Sequence, residues 1–316
     1  MNSFLSIKDV DNLPALVNDA LEIKKNPHSF SDLGRQKSMC LIFLNPSLRT
    51  RLSSQKAAFN LGLNTAVLDV GSQGWKLEFN DGEVMDSDKA EHIKEAAAVI
   101  GSYFDIVAIR AFAKLEDRDE DYSEQIIHSF QKDCPVPVVN MESGTGHPLQ
   151  AFADLVTIEE YKTVEKPKVV LTWAPHPRPL PQAVANSFSE WMQAADFDLT
   201  ITHPTGYELA DDFVGNANVE YDQKKAFKDA DFIYAKNWSS YSDYGKVLST
   251  DNSWMVTSEK MKLTNNAKFM HCLPVRRNVI VEDAVIDSEN SLVIPEATNR
   301  IYSMQAVLKQ ILENQK

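Results

Sequence analysis

The chain of 316 residues has only three cysteines, Cys40, Cys134 and Cys272. None is paired at metal-ligand spacing, and an odd number makes a poor disulfide framework, so a reducing compartment is the simplest setting. Positive charge is also short: 32 Lys plus Arg against 45 Asp plus Glu leave a formal net charge of -13. A nucleic acid or an anionic membrane normally meets a basic face, so this balance argues against both as partners. No apolar run approaches the length that spans a bilayer. The N-terminal MNSFLSIKDVDNLP has no basic segment followed by an apolar core, which argues against a secretory signal. These absences together predict a cytoplasmic protein. Glycine-rich phosphate loops are missing too: there is no Walker signature and no G-x-G-x-x-G after a strand, so a nucleotide is not indicated. The seven histidines include no H-E-x-x-H pattern and no His/Cys cluster with zinc spacing, so no metal is indicated. Internal repeats, low-complexity segments and long linkers are also absent.

What is present is an ordinary globular balance, 43% hydrophobic and 24% charged residues. The length suggests two domains, because a single core stops growing at about 250–300 residues. Short β-branched runs alternate with segments of helical periodicity, the pattern of βαβ units and a mainly parallel sheet. Candidate strands fall at 38–44, 64–70, 105–111 and 137–141, then at 168–174, 197–203, 231–237 and 268–273. Helical stretches lie between them, and the last runs from about Glu296 to Leu312. The expected fold is α/β, two doubly wound parallel-sheet domains with a cleft between them. The first domain is placed at 1–150 and the second at 151–295, with the C-terminal helix at 296–316 packing back on the first. Four prolines in WAPHPRPLPQ, 173–182, exclude regular helix there and predict a stiff extended loop.

In a parallel α/β sheet ligands bind beyond the carboxyl ends of the strands, and the polar residues of interest fall there. Ser47 to Arg51 follow the first strand, Arg110 ends the third, and Glu142 and His147 follow the fourth. In the second half the same places hold His176, His203, Lys236 and the pair His271–Cys272. In MCLIFLNPSLRTR, Asn45-Pro46 stops the strand, Ser47 is a good N-cap, and a helix begins at Leu48 or Arg49. Free N–H groups, the helix dipole, Arg49 and the Thr50 hydroxyl then form an anion site in physical terms. The plainer alternative is a capped helix with two solvated arginines, and for Arg110 an ion pair with Glu116 or Asp117. Pro148 with His147 before it makes an ordinary helix start, and Cys272 reads more simply as a buried thiol than as a nucleophile.

Taken together and in order, SLRTR, HPLQ and HCLP resemble the motifs of the aspartate/ornithine carbamoyltransferase family, which read S-T-R-T-R, H-P-x-Q and H-C-L-P. The resemblance runs from the first strand to IPEATNRIYSMQAVL. Plain ornithine enzymes carry a D-x-x-x-S-M-G loop in the second domain; here the comparable strand ends in AKNWSSY. WAPHPRPLPQAV looks instead like the proline-rich loop of the branch acting on acylated ornithine, and implies a knotted second domain. Within that branch the resemblance implies Glu at the position of Ala90 for an acetyl substrate and Pro for a succinyl one. Ala90 is neither, but it leaves room and adds no negative charge, and Ile280 stands where the acetyl pattern has Lys. The implied reaction is carbamoyl transfer from carbamoyl phosphate to the δ-amine of N-succinyl-L-ornithine, in arginine biosynthesis, with N-acetyl-L-ornithine as the alternative acceptor.

The resemblance also implies roles, without any cofactor or metal. Ser47, Leu48 through its backbone, Arg49, Thr50, Arg110 and Arg300 would hold the phosphate. His147, Arg110 and Thr50 would polarise the carbonyl, and Gln150 would hold the carbamoyl NH2. Cys272 and Leu273 would orient the amine. Ala90, Phe112, Glu142, His176, Lys236, Cys272 and Leu273 would form the acylornithine site. The segment 71–82 resembles a loop that reaches the neighbouring subunit, where Trp75 would touch carbamoyl phosphate; a homotrimer is implied, against the plainer reading of a surface hairpin. Leu48 departs from the usual Thr. Two other classes fit two α/β domains: a nicotinamide-dependent oxidoreductase, opposed by the missing glycine fingerprint, and a non-catalytic binding protein for a phosphorylated metabolite.

Overall fold

The computed structural model describes residues 1–70 and 75–315. Residues 71–74 of the segment expected to reach a neighbour lie outside the described residues, as does Lys316. The chain divides into two compact units. Unit 1 comprises Met1–Lys114, Asp119–Leu149 and Arg300–Lys316; unit 2 comprises Leu115–Arg118 and Gln150–Asn299.

Unit 1 is built on four strands, β1 (Ser38–Phe43), β2 (Asn64–Asp69), β5 (Ile106–Arg110) and β6 (Val138–Glu142). They form a parallel sheet in the order β2-β1-β5-β6. β1, β5 and β6 are buried almost throughout, the continuous apolar pattern of strands covered on both faces. Cys40, Ile42, Val107 and Ile109 pack against Ile93, Ala97 and Phe130 of the flanking helices. The segment for which a surface hairpin was the plainer alternative contains β3 (Leu77–Glu78), which pairs in parallel with β4 (Glu91–His92), so that alternative does not hold. The intervening residues supply a loop long enough for a parallel connection, which a tight turn cannot make.

Unit 2 carries β7 (Lys168–Trp173), β8 (Asp198–Thr202), β9 (Asn218–Glu220), β10 (Phe232–Lys236) and β11 (Lys268–Met270), all parallel in the order β11-β10-β7-β8-β9. The sequence pointed to four strands here. The fifth, β9, is a short and mostly exposed edge strand, so it lacks the apolar run that marks the others. The proline-rich loop contains no helix, as its composition requires. At its start Trp173 is fully buried, lies 4.6 Å from the Tyr207 ring and donates from Nε1 to the Trp238 carbonyl at 3.0 Å.

Both sheets contain a topological switch point. In unit 1 the chain runs from β1 outward to β2, then returns to the other side of β1 at β5. In unit 2 it runs from β7 out through β8 and β9, then returns beside β7 at β10. Loops leaving two such adjacent strands must diverge, which opens a crevice at their carboxyl ends. Phe43 is in register with Arg110, and Trp173 with Lys236. Trp173→Ala should remove both a ring contact and a buried hydrogen bond, costing about 3–5 kcal/mol, read as a lower denaturant midpoint; Trp173→Phe should lose much less.

Candidate active site

Unit 1 gathers its functional groups at the β1–β5 switch point. The helix Leu48–Asn60 starts as its sequence demands: Ser47 is extended at φ −153° and its hydroxyl accepts from Thr50 N at 3.3 Å. Leu48 points outward and is 69% exposed. A hydroxyl at that position would therefore face away from the buried Thr50, and the departure from Thr leaves the backbone N–H in place. The first-turn N–H groups have no intrahelical partner and carry the positive end of the dipole.

The two arginines of SLRTR have different partners. Arg51 binds Asp69 at 2.9 Å and lies over the Phe43 ring, so its charge is paired and only partly solvated. Arg49 stands near Arg110 and Arg300. Arg300 donates from Nη2 to Thr50 Oγ1 at 2.7 Å, which ties the last helix, Val293–Asn314, to the first turn of the capped one. Arg110 is 5% exposed and stacks 4.3 Å from the Phe112 ring. Its pairing with Glu116 or Asp117 does not occur; the partner is Glu142, at the end of the adjacent β6. Burial first, then repulsion by Arg300 and Arg49, pulls the Arg110 guanidinium down to about 9, still cationic at neutral pH. Glu142 also meets His147 Nε2 at 3.3 Å. Thus a residue expected at the acceptor site is the counter-ion of a buried Arg–Glu–His group.

The loop from β6 to His147 depends on a residue that sequence reasoning missed. Glu124 accepts from Ser143 Oγ and from Thr145 N, each at 2.7 Å, and from Gly144 N at 3.3 Å. A Cβ on Gly144 would meet the Asp121 carbonyl at 2.4 Å, so the loop approaches too closely for any other residue. Nothing in the local sequence marks Glu124, because its role is to neutralise N–H groups 20 positions away. Trp75 is 54% exposed and donates to Glu91 Oε2 at 3.0 Å. Ala90 is exposed and is held through its backbone N–H to the Lys76 carbonyl at 2.8 Å.

Unit 2 places the remaining residues around its own switch point. Lys236 ends β10 and is 9% exposed; burial lowers its pKa, while Cys272 opposes that shift. His176, in the proline-rich loop, accepts from Arg276 Nε at 2.9 Å and faces the Arg178 carbonyl at 2.8 Å. Nε2, as an acceptor from a guanidinium, carries no proton, so the ring is neutral. Burial, then Arg276, Lys236 and Arg178, depresses its pKa further, with only the Arg178 carbonyl opposing. Sequence reasoning missed Arg276 as a member of this cationic group; its position two residues after the HCLP motif was the available signal. In the motif itself His271 Nδ1 accepts from Leu273 N at 2.8 Å, and this bond holds Leu273 at φ +53°, a left-handed conformation that costs about 1–3 kcal/mol. Gln150 is buried and donates from Nε2 to Asp154 and Glu296. His203, also noted at a strand end, faces the Pro204 carbonyl at 3.0 Å and the Tyr221 ring, a structural arrangement.

Among the described residues no group of three or more His, Cys, Asp or Glu side chains could hold a metal ion, and no helix is long and apolar enough to cross a membrane. In unit 1 Glu142 is the carboxylate that meets both Arg110 and His147. Glu142→Gln should leave Arg110 without a counter-charge beside two other arginines. We expect a loss of about 3–5 kcal/mol in phosphate-free buffer, and a larger rise in melting temperature on adding inorganic phosphate than the unmodified chain shows.

The comparisons with known proteins agree with this geometry. Residues 2–160 match the family model for the aspartate/ornithine carbamoyltransferase carbamoyl-P binding domain, and residues 181–311 that for the Asp/Orn binding domain. The chain is 58% identical over 315 residues to the N-succinylornithine carbamoyltransferase of Bacteroides thetaiotaomicron, covering 99% of each. To the N-acetylornithine carbamoyltransferase of Xanthomonas campestris it is 38% identical over 335 residues, covering 99% of this chain and 98% of that one. A crystal structure of an N-acetyl-L-ornithine transcarbamylase mutant, complexed with carbamyl phosphate and N-succinyl-L-norvaline, superposes with a TM-score of 0.93 at 38% identity, covering 98% of this chain and 100% of that one. With both of its domains matched and identity extending over almost its whole length, the chain belongs to the aspartate/ornithine carbamoyltransferase family.

Proposed function

We propose that the protein transfers the carbamoyl group of carbamoyl phosphate to the δ-amine of N-succinyl-L-ornithine, giving N-succinyl-L-citrulline and phosphate. The observation that carries the donor is the unit 1 charge balance. Arg49 and Arg300 both lie close enough to repel Arg110, and Arg300 reaches Thr50 in the first turn after Ser47, a concentration of positive charge suited to a phosphate dianion. The first-turn N–H groups after Ser47, with Leu48 contributing only its backbone, add uncharged donors. His147, Arg110 and Thr50 stabilise the oxyanion of the tetrahedral intermediate, and Gln150 receives the carbamoyl NH2. The uncharged δ-amine attacks the carbonyl carbon, the C–O bond to phosphate breaks, and the leaving phosphate takes the amine proton, so no dedicated protein base is needed. Cys272 and Leu273 direct the amine. Holding two substrates in register supplies an effective molarity of roughly 10⁵–10⁸ M.

The acceptor N-succinyl-L-ornithine carries two carboxylates, and the unit 2 cations Lys236 and Arg276 beside His176 are of the right sign for both. Phe112, Glu142 and Ala90 complete that site. The preference for succinyl over acetyl rests on the 58% identity to an N-succinylornithine enzyme against 38% for an N-acetylornithine enzyme, and on the absence of a carboxylate at Ala90. The proline-rich loop supports a knotted second domain, and Trp75 supports a homotrimer in which it reaches the adjacent site. A biosynthetic reaction on two small soluble metabolites, leading toward arginine, fits the cytoplasm.

Citrulline-type product should form from carbamoyl phosphate with N-succinyl-L-ornithine, and slowly or not at all with N-acetyl-L-ornithine or L-ornithine. A preference for acetyl would overturn the acyl assignment, and a preference for L-ornithine the branch. Dinucleotide binding would revive an oxidoreductase, and carbamoyl phosphate binding without turnover a binding protein. Ala90→Glu should lower kcat/KM for the succinyl acceptor roughly tenfold or more by like-charge repulsion, while turnover of the acetyl compound persists.

A further inference from the structure

Unit 2 holds two carboxyl groups that the proposed reaction does not use. Asp154, on the helix Pro148–Tyr161, and Glu296, in the first turn of Val293–Asn314, are both completely buried. Gln150 Nε2 donates to both, at 2.7 Å to Asp154 Oδ1 and 3.2 Å to Glu296 Oε1. Gln150 and Asp154 are four residues apart and so share a helix face. The second oxygen of Glu296 accepts from His271 N at 2.9 Å, and His271 Nδ1 in turn accepts from Leu273 N. One carboxyl pair thus anchors both the Gln150 amide and the turn that carries Cys272 and Leu273.

The two carboxyls converge on that one amide nitrogen, with neither exposed to solvent. An ionised carboxylate only accepts, so a proton on one would let the pair attract rather than repel. Burial and the repulsion of Asp154, and to a lesser extent of Cys272, push Glu296 well above the usual carboxylate range, opposed only by the His271 N–H. Tyr234 of β10 faces the same pair. Two full negative charges in so dry a place would be far more costly than one.

We propose that Asp154 and Glu296 share a single proton and act as positioning residues for the carbamoyl group, by fixing the Gln150 amide with its nitrogen toward the carboxyls and its oxygen on the opposite side. The oxygen is the atom a carbamoyl NH2 needs as acceptor. Gln150's contact with that NH2 rests on the function proposed above; the shared proton does not.

Infrared spectroscopy of the full chain at neutral pH tests the proton without substrate. A carboxylic-acid C=O band should be present and should disappear in both Glu296→Gln and Asp154→Asn, each of which keeps one negative charge and one donor. No such band, or one unchanged in both variants, would overturn the shared proton. Calorimetric titration with carbamoyl phosphate then tests positioning. Asp154→Ala should weaken binding about tenfold or more, with the affinity for N-succinyl-L-norvaline unmoved, and Asp154→Asn should restore it to within about threefold. Equal loss for both ligands, or no rescue by Asn, would reduce the pair to a structural role. If the chain turned over no acylornithine at all, the infrared result would still decide the proton.

Discussion

Arg49, Arg110 and Arg300 repel one another, and unit 1 is arranged so that they are nevertheless held together. Burial removes the water that would screen them, so each must be fixed by something else. Arg300 is fixed by the Thr50 hydroxyl, and Arg110 by Glu142 and the Phe112 ring. Glu142 and Arg110 are in register on adjacent strands, so sheet hydrogen bonding itself delivers the counter-ion. An anion relieves the repulsion that the fold maintains in its absence, which makes binding of charge intrinsic to the stability of this unit.

Unit 2 handles charge differently. Its cations Lys236 and Arg276 flank a neutral His176, while two fully buried acids, Asp154 and Glu296, accept from amide and backbone donors. The switch points explain why both arrangements sit where they do. Phe43–Arg110 and Trp173–Lys236 mark strands whose following loops separate, and the polar residues of interest lie at or shortly beyond those strand ends.

Much of this was legible in the sequence because it is local. Ser47 as N-cap, the strand end at Arg110, the helix start at Pro148 and the helix-free proline loop follow from spacing, capping chemistry and φ restriction, and three ordered short motifs carry the family resemblance. What was not legible is set by partners distant in sequence. Arg51 reads like Arg49 until Asp69 is seen beside it. Arg110 had two acidic neighbours in the chain, yet strand pairing selects Glu142, 32 positions away. Glu124 and Asp154 carry no signature, because a carboxylate that anchors backbone or amide groups can come from any element that passes by. The short β9 and the parallel pairing of β3 with β4 were missed because a strand of two or three residues has no periodicity to detect.

Ala90 is exposed and anchored through its main chain, so side chains there contribute almost nothing to folding. Arg110 lies at the opposite extreme, buried against the counter-ion it needs. A lineage can therefore explore new residues at position 90 at little cost in stability, whereas the buried Arg110–Glu142 pair cannot lose one partner without a large one. Under the proposed roles of Arg110 and Ala90, a charge-locked group and a thermodynamically silent position would let one scaffold diverge repeatedly in the acyl group it accepts while its treatment of carbamoyl phosphate stays frozen.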